Sequence, residues 1–423
     1  GKNFRNARSL LAIEQLKTLK PSPLVSLSAL NGIIPVNFED DMSVIKDVDW
    51  VIEAVVERID IKKPLLKKIS EYHRAGAPVT TNTSGISLET LCQGLPESFV
   101  ECFFGTHFFN PPRYMKLLEV IPHSNTNLEL MHELAEWIDQ RLGTGIVEAK
   151  DTINFIGNRI GVFTIQSTFK HTLELGLNFE TVDALTGSLM GRPSSATYRT
   201  CDVVGLDTYA HVAKNVYDLV PNDPFRDDFK TPDWLAYLIE KGFHGQKSNS
   251  QGCYKKEKKG SESIILAFRP QSQTYEEQKV QEFAWVKEAK KMGLVARLQF
   301  ILKQDDAGAK LIWRILRDTF AYSALILDEI ADGSPLAVDQ AIRWGFNWEL
   351  GPFELWQALG SEAIAKRLQA DGIKLPPEFG TRVIYKPDVQ SSAWEIRGPQ
   401  SQWRFKEKSY RAVEQSPYHI KLP

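Results

Sequence analysis

Cysteine is scarce in this chain, and neither sign of charge dominates it. Four of the 423 residues are cysteines, and Cys92, Cys102, Cys201 and Cys253 show no spacing typical of a metal site or a redox pair. We interpret them as reduced thiols, which indicates a cytosolic compartment. The formal net charge of −2 gives no electrostatic reason to expect nucleic acid or an anionic membrane as a partner.

The sequence also lacks a long hydrophobic run. No apolar stretch approaches the roughly 20 residues that a membrane-spanning helix needs, so no membrane span is expected. The N-terminal residues, GKNFRNARSL, contain no apolar signal core. The composition, with 43% hydrophobic and 25% charged residues, is that of an ordinary globular protein.

A third absence concerns nucleotide binding. A parallel nucleotide-binding sheet usually opens with a strand, a glycine-rich turn and a helix, because glycine lets the backbone approach the pyrophosphate. No G-x-G-x-x-G motif occurs near the N-terminus, and the first residues look like the helix after a second strand. Two interpretations remain open. Either the first βαβ unit is missing from a fragment, or the chain never bound a dinucleotide in the usual way.

Strands and helices are predicted to alternate over the first 149 residues. The stretch DWVIEAVV (49–56) is almost continuously apolar, as expected of a strand buried on both faces of a parallel sheet. After it we predict a helix at 61–72, a strand at 77–82, a short helix at 87–93, a strand at 99–109 and a helix at 127–142 that ends at Gly143. This order predicts the α/β class with a doubly wound sheet.

The pattern becomes mostly helical after residue 149. Long helices predicted at 155–175 and 309–330 are each followed by a Val-Asp pair and two glycines. These residues are Val182, Asp183, Gly191 and Gly205 in one case and Val338, Asp339, Gly345 and Gly360 in the other. The similarity predicts a duplicated all-α domain. Because 255–260 and 271–277 are polar, we expect a linker between the copies.

The predicted domain boundaries follow from these changes of pattern. They are an N-terminal domain at 1–149, a first helical copy at 150–258, a linker at 259–296, a second copy at 297–378 and a tail or linker at 379–423.

The stretch GTHFFNPPRYMKLLEV (105–120) carries the first candidate site. Both halves are rich in β-formers, and the connector at 110–115 is too short for a parallel crossover, so an antiparallel hairpin is predicted. A turn centred on Arg113 places His107 opposite Glu119, with Cβ atoms about 5 Å apart. A carboxylate facing an imidazole fixes its tautomer and stabilises its protonated form, which suits general acid/base chemistry. The alternative is a cross-strand pair on the surface.

Five motifs occur in order along the chain: DWVIEAVVERIDIK, TNTSGIS, GTHFFNPPRYMKLLEVI, KDTINFIGNRIG and GQKSNSQGCYK. Together they resemble the 3-hydroxyacyl-CoA dehydrogenase family up to about residue 255, and the second helical copy extends the resemblance to about residue 360. The resemblance implies a Rossmann-like NAD-binding domain, with its first βαβ unit missing, followed by all-α domains. The longer match resembles the bacterial multifunctional β-oxidation type, in which the dehydrogenase is fused to an enoyl-CoA hydratase.

The implied reaction is the NAD-dependent oxidation of (3S)-3-hydroxyacyl-CoA to 3-oxoacyl-CoA in fatty acid β-oxidation. By resemblance, His107 is the general base and Glu119 is its carboxylate partner. Ser84 matches a serine that hydrogen-bonds the substrate oxygen, and Asn158 matches an asparagine that contacts substrate. Judged from the residues alone, Ser84 could instead cap a helix or a turn, and Asn158 could cap the backbone.

The resemblance also implies which residues lie near the cofactor. Contacts with NAD are expected from Val55, Val56, Glu57, Lys62, Ser84, Asn110 and Lys247. Without the resemblance, both lysines would be interpreted as solvated surface residues. Asn110 could equally serve the turn at FNPP. No metal site is expected.

The expected partner is an acyl-CoA substrate. The resemblance further implies a homodimer or a larger β-oxidation assembly, with thiolase as a candidate member, in the cytoplasm. One departure is Ile153, which stands where the family usually has proline after Asp-Thr and loosens the turn before Asn158. The competing hypothesis is a non-catalytic acyl-CoA-binding or structural relative, which would bind substrate without turnover.

Overall fold

The computed structural model describes residues 5–246, 248, 251–259, 262–387 and 399–413. The chain divides into two compact units, Gly1–Asp151 and Thr152–Pro423. The division falls close to the boundary predicted after residue 149.

A five-stranded sheet forms the centre of the N-terminal unit, in the order β1-β2-β3-β4-β5. Its strands are Val51–Glu53 (β1), Val79–Thr81 (β2), Phe103–Phe108 (β3), Leu117–Ile121 (β4) and Gly145–Glu148 (β5). Strands β3 and β4 pair antiparallel, whereas every other neighbouring pair is parallel. The helices are Ala7–Leu16 (α1), Ile59–Tyr72 (α2), Leu88–Cys92 (α3), Glu97–Val100 (α4) and Leu128–Leu142 (α5), with short 3-10 helices at Leu27–Gly32 and Met42–Asp47. The predicted α/β class is confirmed.

Helix α5 illustrates how amphipathic patterning builds this unit. Six buried side chains meet where the helix lies on the sheet: Phe104, Leu118, Val120, Met131, Ala135 and Ile138. The helix begins after Asn127, whose side chain accepts a hydrogen bond from the Leu130 N–H. It ends at Gly143, which adopts the left-handed conformation with φ of 67°. The predicted glycine cap is confirmed.

All three predicted strands are shorter in the structure, and the one predicted at 77–82 covers only Val79–Thr81. The strand predicted at 49–56 covers only Val51–Glu53, because the Val55 N–H donates to the Glu53 carboxylate (2.7 Å) rather than extending the ladder. The strand predicted at 99–109 begins at Phe103, because Pro96 starts the short helix Glu97–Val100. Proline suits the start of a helix, where its missing N–H costs nothing.

Helices make up most of the C-terminal unit. They are Gly157–Glu174 (α6), Phe179–Thr186 (α7), Tyr198–Val204 (α8), Leu206–Leu219 (α9), Asp233–Glu240 (α10), Val286–Ala289 (α11), Leu294–Ile301 (α12), Ala307–Leu325 (α13), Leu327–Ala331 (α14), Pro335–Phe346 (α15) and Pro352–Ala370 (α16), with 3-10 helices at Ser188–Met190 and Arg226–Phe229. The long helices α6 and α13 pack against each other, and the hydroxyls of Thr164 and Thr319 meet between them at 3.1 Å.

A buried aspartate organises the first helical copy. Asp183 accepts hydrogen bonds from the N–H groups of Thr197 (3.0 Å) and Tyr198 (2.7 Å), and from the Tyr254 hydroxyl (2.7 Å). Burial raises the pKa of Asp183 to about 6, although these hydrogen bonds oppose the shift. The aspartate therefore ties the start of α8 to a segment some 70 residues further along the chain.

The second copy repeats this arrangement. Asp339 accepts hydrogen bonds from the N–H groups of Phe353 and Glu354 (2.8 Å each) and from the Tyr385 hydroxyl. In both copies the bonded amides lie 14 and 15 residues after the aspartate. The hydrogen bonds of Asp183 and Asp339 thus repeat at the same spacing, as the duplication predicted from the two Val-Asp pairs requires.

A second acceptor is repeated as well. The Asp202 carboxylate accepts from the N–H groups at 253 and 254 (2.7 and 2.9 Å). Gln357 Oε1 accepts from the N–H groups at 384 and 385 (2.9 Å each). Each copy therefore anchors the segment that carries its tyrosine through two separate acceptors.

Each copy is followed by a three-stranded antiparallel sheet that the sequence analysis missed. One consists of Tyr254–Lys259 (β6), Glu262–Arg269 (β7) and Thr274–Glu277 (β8), and the other of Tyr385–Lys386 (β9), Ser401–Arg404 (β10) and Ser409–Ala412 (β11). The predictions of a linker at 259–296 and of a tail at 379–423 are wrong where these strands lie. The all-α description of these domains needs the same correction.

The linker prediction was wrong because it relied on the polar composition of residues 255–260 and 271–277. In β6 Tyr254 is buried, whereas the side chains at 255–258 are half-buried or exposed. One face of an antiparallel sheet can lie in water, so a lysine-rich segment can still form a strand. The anchors at Asp183 and Asp202 decide its conformation, which local sequence preference did not reveal.

We expect Gly161→Ala to destabilise the protein by about 1–3 kcal/mol, the usual cost of overpacking. A Cβ atom at Gly161 on α6 would lie 2.0 Å from the Phe346 ring. Without that clash alanine would favour a helix by about 1 kcal/mol. Urea unfolding measures the effect, with Gly293→Ala as control because nothing lies within 4 Å of a Cβ there. A Gly161→Ala protein as stable as the wild type would contradict this packing.

Candidate active site

His107 and Glu119 form a buried pair inside the N-terminal sheet. They lie directly opposite each other on β3 and β4, as the predicted hairpin requires. The His107 Nδ1 lies 2.7 Å from Glu119 Oε2, and the residues are 4% and 0% exposed. The predicted register is confirmed, and the alternative of a surface pair is wrong.

Ser84 completes a hydrogen-bonded chain of three side chains. It follows the carboxyl end of β2, which pairs with β3, and its Oγ lies 3.0 Å from His107 Nε2. The next helix, α3, is preceded by Ser87, and its first N–H groups donate to Asp151. Ser84 therefore does not cap that helix.

The hydrogen bonds define the state of the imidazole. A carboxylate only accepts, so His107 Nδ1 carries the proton that it donates to Glu119. In the neutral ring Nε2 is then the acceptor, and the Ser84 hydroxyl donates to it. Phe109 packs edge-on against the ring, with centroids 4.9 Å apart. The imidazole is thus held in one tautomer with a basic nitrogen facing Ser84.

The loop that carries Ser84 is held by Glu57. One oxygen, Glu57 Oε1, accepts hydrogen bonds from the Thr83 hydroxyl and from the N–H groups of Ser84 (2.8 Å) and Gly85 (2.9 Å). Burial opposes ionisation of Glu57, but these donors and the charge of Lys62 lower its pKa below the usual value. Glu57 therefore stays ionised and positions the serine.

Lys62 is buried between two carboxylates. Its side chain is 1% exposed, and Nζ lies 2.9 Å from Glu53 Oε2 and 3.4 Å from Glu57 Oε2. The alternative of a solvated surface lysine is wrong. Two anions around one cation form a network in which each charge has a partner, as buried charges require.

Glu53 is a site residue that the sequence analysis missed. Its carboxylate contacts Lys62, accepts a hydrogen bond from the Thr81 hydroxyl (2.6 Å) and bends the backbone at Val55. The sequence did contain one indication of this role, because Glu53 is the single glutamate inside the otherwise mostly apolar run DWVIEAVV. The strand is not buried on both faces as expected, because β1 lies at the edge of the described sheet and Ile52 is exposed. Glu53 itself is buried and needs a cationic partner, and Lys62 is one helical turn into α2.

The residues expected to contact NAD gather at one edge of the sheet. β1, β2 and β3 run parallel, so Val55, Glu57, Ser84 and Asn110 all follow carboxyl ends that lie at the same edge. Ligands of open α/β sheets bind at that edge. Val56 is 60% exposed and presents an apolar surface there, and Asn110 is exposed. The residues present therefore fit a dinucleotide whose aromatic ring needs apolar cover and whose ribose needs polar groups.

Two predicted site residues belong to the C-terminal unit. Asn158 lies in the first turn of α6 and is half-buried. Within the described ranges its side chain makes no hydrogen bond, so it is not a backbone cap and its amide is available to a ligand. Lys247 lies outside the described residues.

Among the described residues, no group of three or more His, Cys, Asp or Glu side chains could hold a metal ion. No helix that the structure describes is long and apolar enough to cross a membrane. The four cysteines are free and buried.

Comparison with known proteins assigns both units to one family. Residues 8–152 match the family model described as the NAD binding domain of 3-hydroxyacyl-CoA dehydrogenase. Residues 155–256 match the model of the C-terminal domain of the same enzyme. The predicted fold class, a Rossmann-like NAD-binding domain followed by a helical domain, is confirmed, apart from the small sheets described above.

Individual relatives agree with this assignment. A probable 3-hydroxyacyl-CoA dehydrogenase of Bacillus subtilis is 40% identical over 425 residues, which cover 100% of this chain and 52% of the relative. Another of Deinococcus radiodurans is 39% identical over 254 residues, covering 60% of this chain and 72% of the relative. The chain thus spans about half the length of the Bacillus relative.

A solved structure shares the fold. The 3-hydroxybutyryl-CoA dehydrogenase from Escherichia coli K12 matches 93% of this chain and 90% of its own, with a TM-score of 0.62 and 21% identity. At that identity the likeness describes the fold alone.

We expect Glu57→Gln to lower the free energy of unfolding at neutral pH by about 1–3 kcal/mol, the range for hydrogen bonds to a charged group. The folded-state pKa of Glu57 lies below its ordinary value of 4.5. The contribution of the ionised Glu57 carboxylate to the free energy of unfolding is therefore present above pH 4.5. It is lost as the pH falls through the folded-state pKa. Urea unfolding at pH 7, 5 and 4 measures the difference between wild type and variant.

The control for this prediction is Glu71→Gln, because Glu71 is an exposed glutamate in the last turn of α2. A Glu57→Gln deficit that stays constant from pH 7 to pH 4 would sink the claim that the ionised carboxylate holds the loop.

Proposed function

The chain belongs to the 3-hydroxyacyl-CoA dehydrogenase family, and from that membership we propose that it oxidises (3S)-3-hydroxyacyl-CoA to 3-oxoacyl-CoA with NAD in fatty acid β-oxidation. The observation that carries the proposal is the chain of hydrogen bonds from Ser84 through His107 to Glu119. Its basic nitrogen stands at the ligand-binding edge of a dinucleotide-type sheet.

His107 acts as the general base. Its Nε2 takes the proton of the substrate's 3-hydroxyl, and the electrons of that O–H bond form the C3=O bond as hydride leaves C3. NAD, when bound, supplies the acceptor for that hydride. The ring becomes an imidazolium during the step, and the buried Glu119 carboxylate stabilises this charge where water cannot.

Ser84 shares the substrate oxygen with His107. In the structure its hydroxyl lies within hydrogen-bonding distance of Nε2, to which it donates when the ring is neutral. Once the 3-hydroxyl occupies that place, the serine can donate to the same oxygen and stabilise the charge that develops on it. A nucleophilic role suits Ser84 less well, since the Ser84 and Gly85 amides that could bind an oxyanion already donate to Glu57.

The remaining predicted residues are assigned to binding. We assign Asn158 to the substrate and Val55, Val56, Glu57, Lys62, Ser84, Asn110 and Lys247 to the cofactor. Lys62 and Glu57 serve it through the network that holds the Ser84 loop, because the lysine ammonium is already engaged by Glu53 and Glu57. A homodimer or a larger assembly with thiolase, and a cytoplasmic location, stay predictions from the family.

We expect His107→Ala to reduce kcat/KM by about 10²–10⁴-fold, the usual contribution of a positioned base. NADH formation by the complete protein with (3S)-3-hydroxybutyryl-CoA and a longer homologue is the assay. His132→Ala is the matched control, because that histidine is exposed and pairs only with Glu148. Normal turnover by His107→Ala would refute the assignment. Acyl-CoA binding without turnover by the wild type would favour a non-catalytic relative.

Glu119→Gln should lower kcat by about 10-fold or more while changing KM little, because the imidazolium forms only during the reaction. Glutamine is nearly isosteric and can still accept from Nδ1, so the ring keeps its place while the compensating charge is lost. Steady-state kinetics of the complete protein test this. A loss confined to KM would mean that Glu119 serves substrate binding instead.

A further inference from the structure

A buried charged cluster lies directly beside Asn158. Arg159 is 0% exposed. Its Nε donates to the Tyr322 hydroxyl (2.6 Å) and its Nη2 to Asp223 Oδ2 (2.6 Å). The Tyr322 hydroxyl donates in turn to the same Asp223 oxygen (2.6 Å), and Glu329 Oε1 lies 3.2 Å from Nη2. The proposed reaction uses none of these cluster groups.

Arg159 is the one cation of this cluster, and it contacts the carboxylates of both Asp223 and Glu329. Burial by itself would lower the pKa of Arg159, but Tyr322, Glu329 and Asp223 raise it above its ordinary value. Burial raises the pKa of Tyr322 well above its usual range, so the hydroxyl keeps the proton that it donates. A guanidinium that donates to several partners at once has a fixed orientation, because its donors form a rigid fork.

The backbone before Asn158 is strained. Asn154 and Phe155 adopt left-handed φ angles of 64° and 46°, and both are buried. Asparagine tolerates this conformation, whereas a bulky residue such as phenylalanine rarely adopts it. Such strain persists only where the surroundings enforce it. Asn154 Nδ2 donates to the Val212 carbonyl (2.8 Å), and Arg159 Nη1 donates to the Ile153 carbonyl (3.3 Å).

The second helical copy supplies much of this support. Tyr322 lies on α13 and Glu329 on α14, and the Phe346 ring on α15 lies against Gly161 of α6. The first turn of α13 reads AGAK and contains no asparagine. The second copy therefore repeats the scaffold of the first but not its candidate substrate contact.

We propose that Tyr322 and Arg159 are positioning residues for Asn158, so that the second copy completes the substrate site of the first. This inference rests on the proposed function, in which Asn158 contacts the acyl-CoA. The link is mechanical: the cluster fixes the strained turn and the first turn of α6, and thereby the direction of the Asn158 amide. Misplacement of a substrate contact by about 1 Å can cost up to 100-fold in rate.

The test is a double-mutant cycle between Tyr322→Phe and Asn158→Ala in the complete protein. Tyr322→Phe removes one hydroxyl and leaves the ring and the Arg159–Asp223 pair in place. We expect it to lower kcat/KM by about 10-fold in the wild-type background. In the Asn158→Ala background it should cost less than about twofold, because the group that it positions is gone.

Tyr385→Phe is the matched control. Like Tyr322→Phe, it removes a buried tyrosine hydroxyl that donates to an aspartate. Here the acceptor is Asp339, which holds the start of α16 and is not part of the Arg159 cluster. It should reduce the melting temperature while leaving kcat/KM within about twofold in both backgrounds. Hydrogen exchange gives an independent readout. Amides of residues 153–161 should exchange faster in Tyr322→Phe than in Tyr385→Phe.

The outcomes separate this inference from the proposed function. If the wild type turns over substrate and Asn158→Ala is slower but still active, while Tyr322→Phe is fully active or costs the same in both backgrounds, the positioning role is refuted and the proposed function stands. If the wild type shows no turnover, the proposed function fails, and unchanged exchange at 153–161 would overturn the positioning role as well. If Tyr322→Phe does not fold, Glu329→Gln tests the same cluster, since that side chain is 40% exposed.

Discussion

The hydrogen bond between His107 and Glu119 exists because one strand pair in the N-terminal sheet runs antiparallel while its neighbours run parallel. In a parallel crossover the two residues would have been separated by a helix. The hairpin instead brings the carboxylate and imidazole face to face inside the sheet. Both become buried because parallel strands flank the hairpin on each side, and burial makes the pair electrostatically effective.

A second layer of charge supports the loop that carries Ser84 beside this pair. Glu57 holds the serine loop through one oxygen, and Lys62 balances Glu57 together with Glu53. The same principle organises the C-terminal unit, where Asp183 gathers three backbone N–H groups, Asp339 gathers two, and each also accepts from a tyrosine hydroxyl. Carboxylates placed out of water thus order the loops of both units, since each carboxyl group accepts several hydrogen bonds at once.

Several elements were predictable from local pattern. The hairpin followed from a connector too short for a crossover, and its register from a turn centred on Arg113. The α5 helix followed from its periodicity and from Gly143, and the duplication from two Val-Asp pairs. Strand β6 was not predictable, because YKKEKK has weak strand preference and is held by anchors far along the chain. Glu53 was missed because its partners come from a different strand and helix.

The sequence by itself determined the α/β class, the opposition of His107 and Glu119 and the family of the chain, because each is encoded in spacing over a few residues or in ordered motifs. Only the tertiary structure decided that Lys62 is buried between two glutamates and that Ser84 reaches His107. Only the tertiary structure shows, too, that the buried Arg159 side chain donates to the hydroxyl of Tyr322, 163 residues further along the chain. Whether a lysine is solvated or buried depends on which elements cover it, and contacts across folded elements leave no local pattern to read.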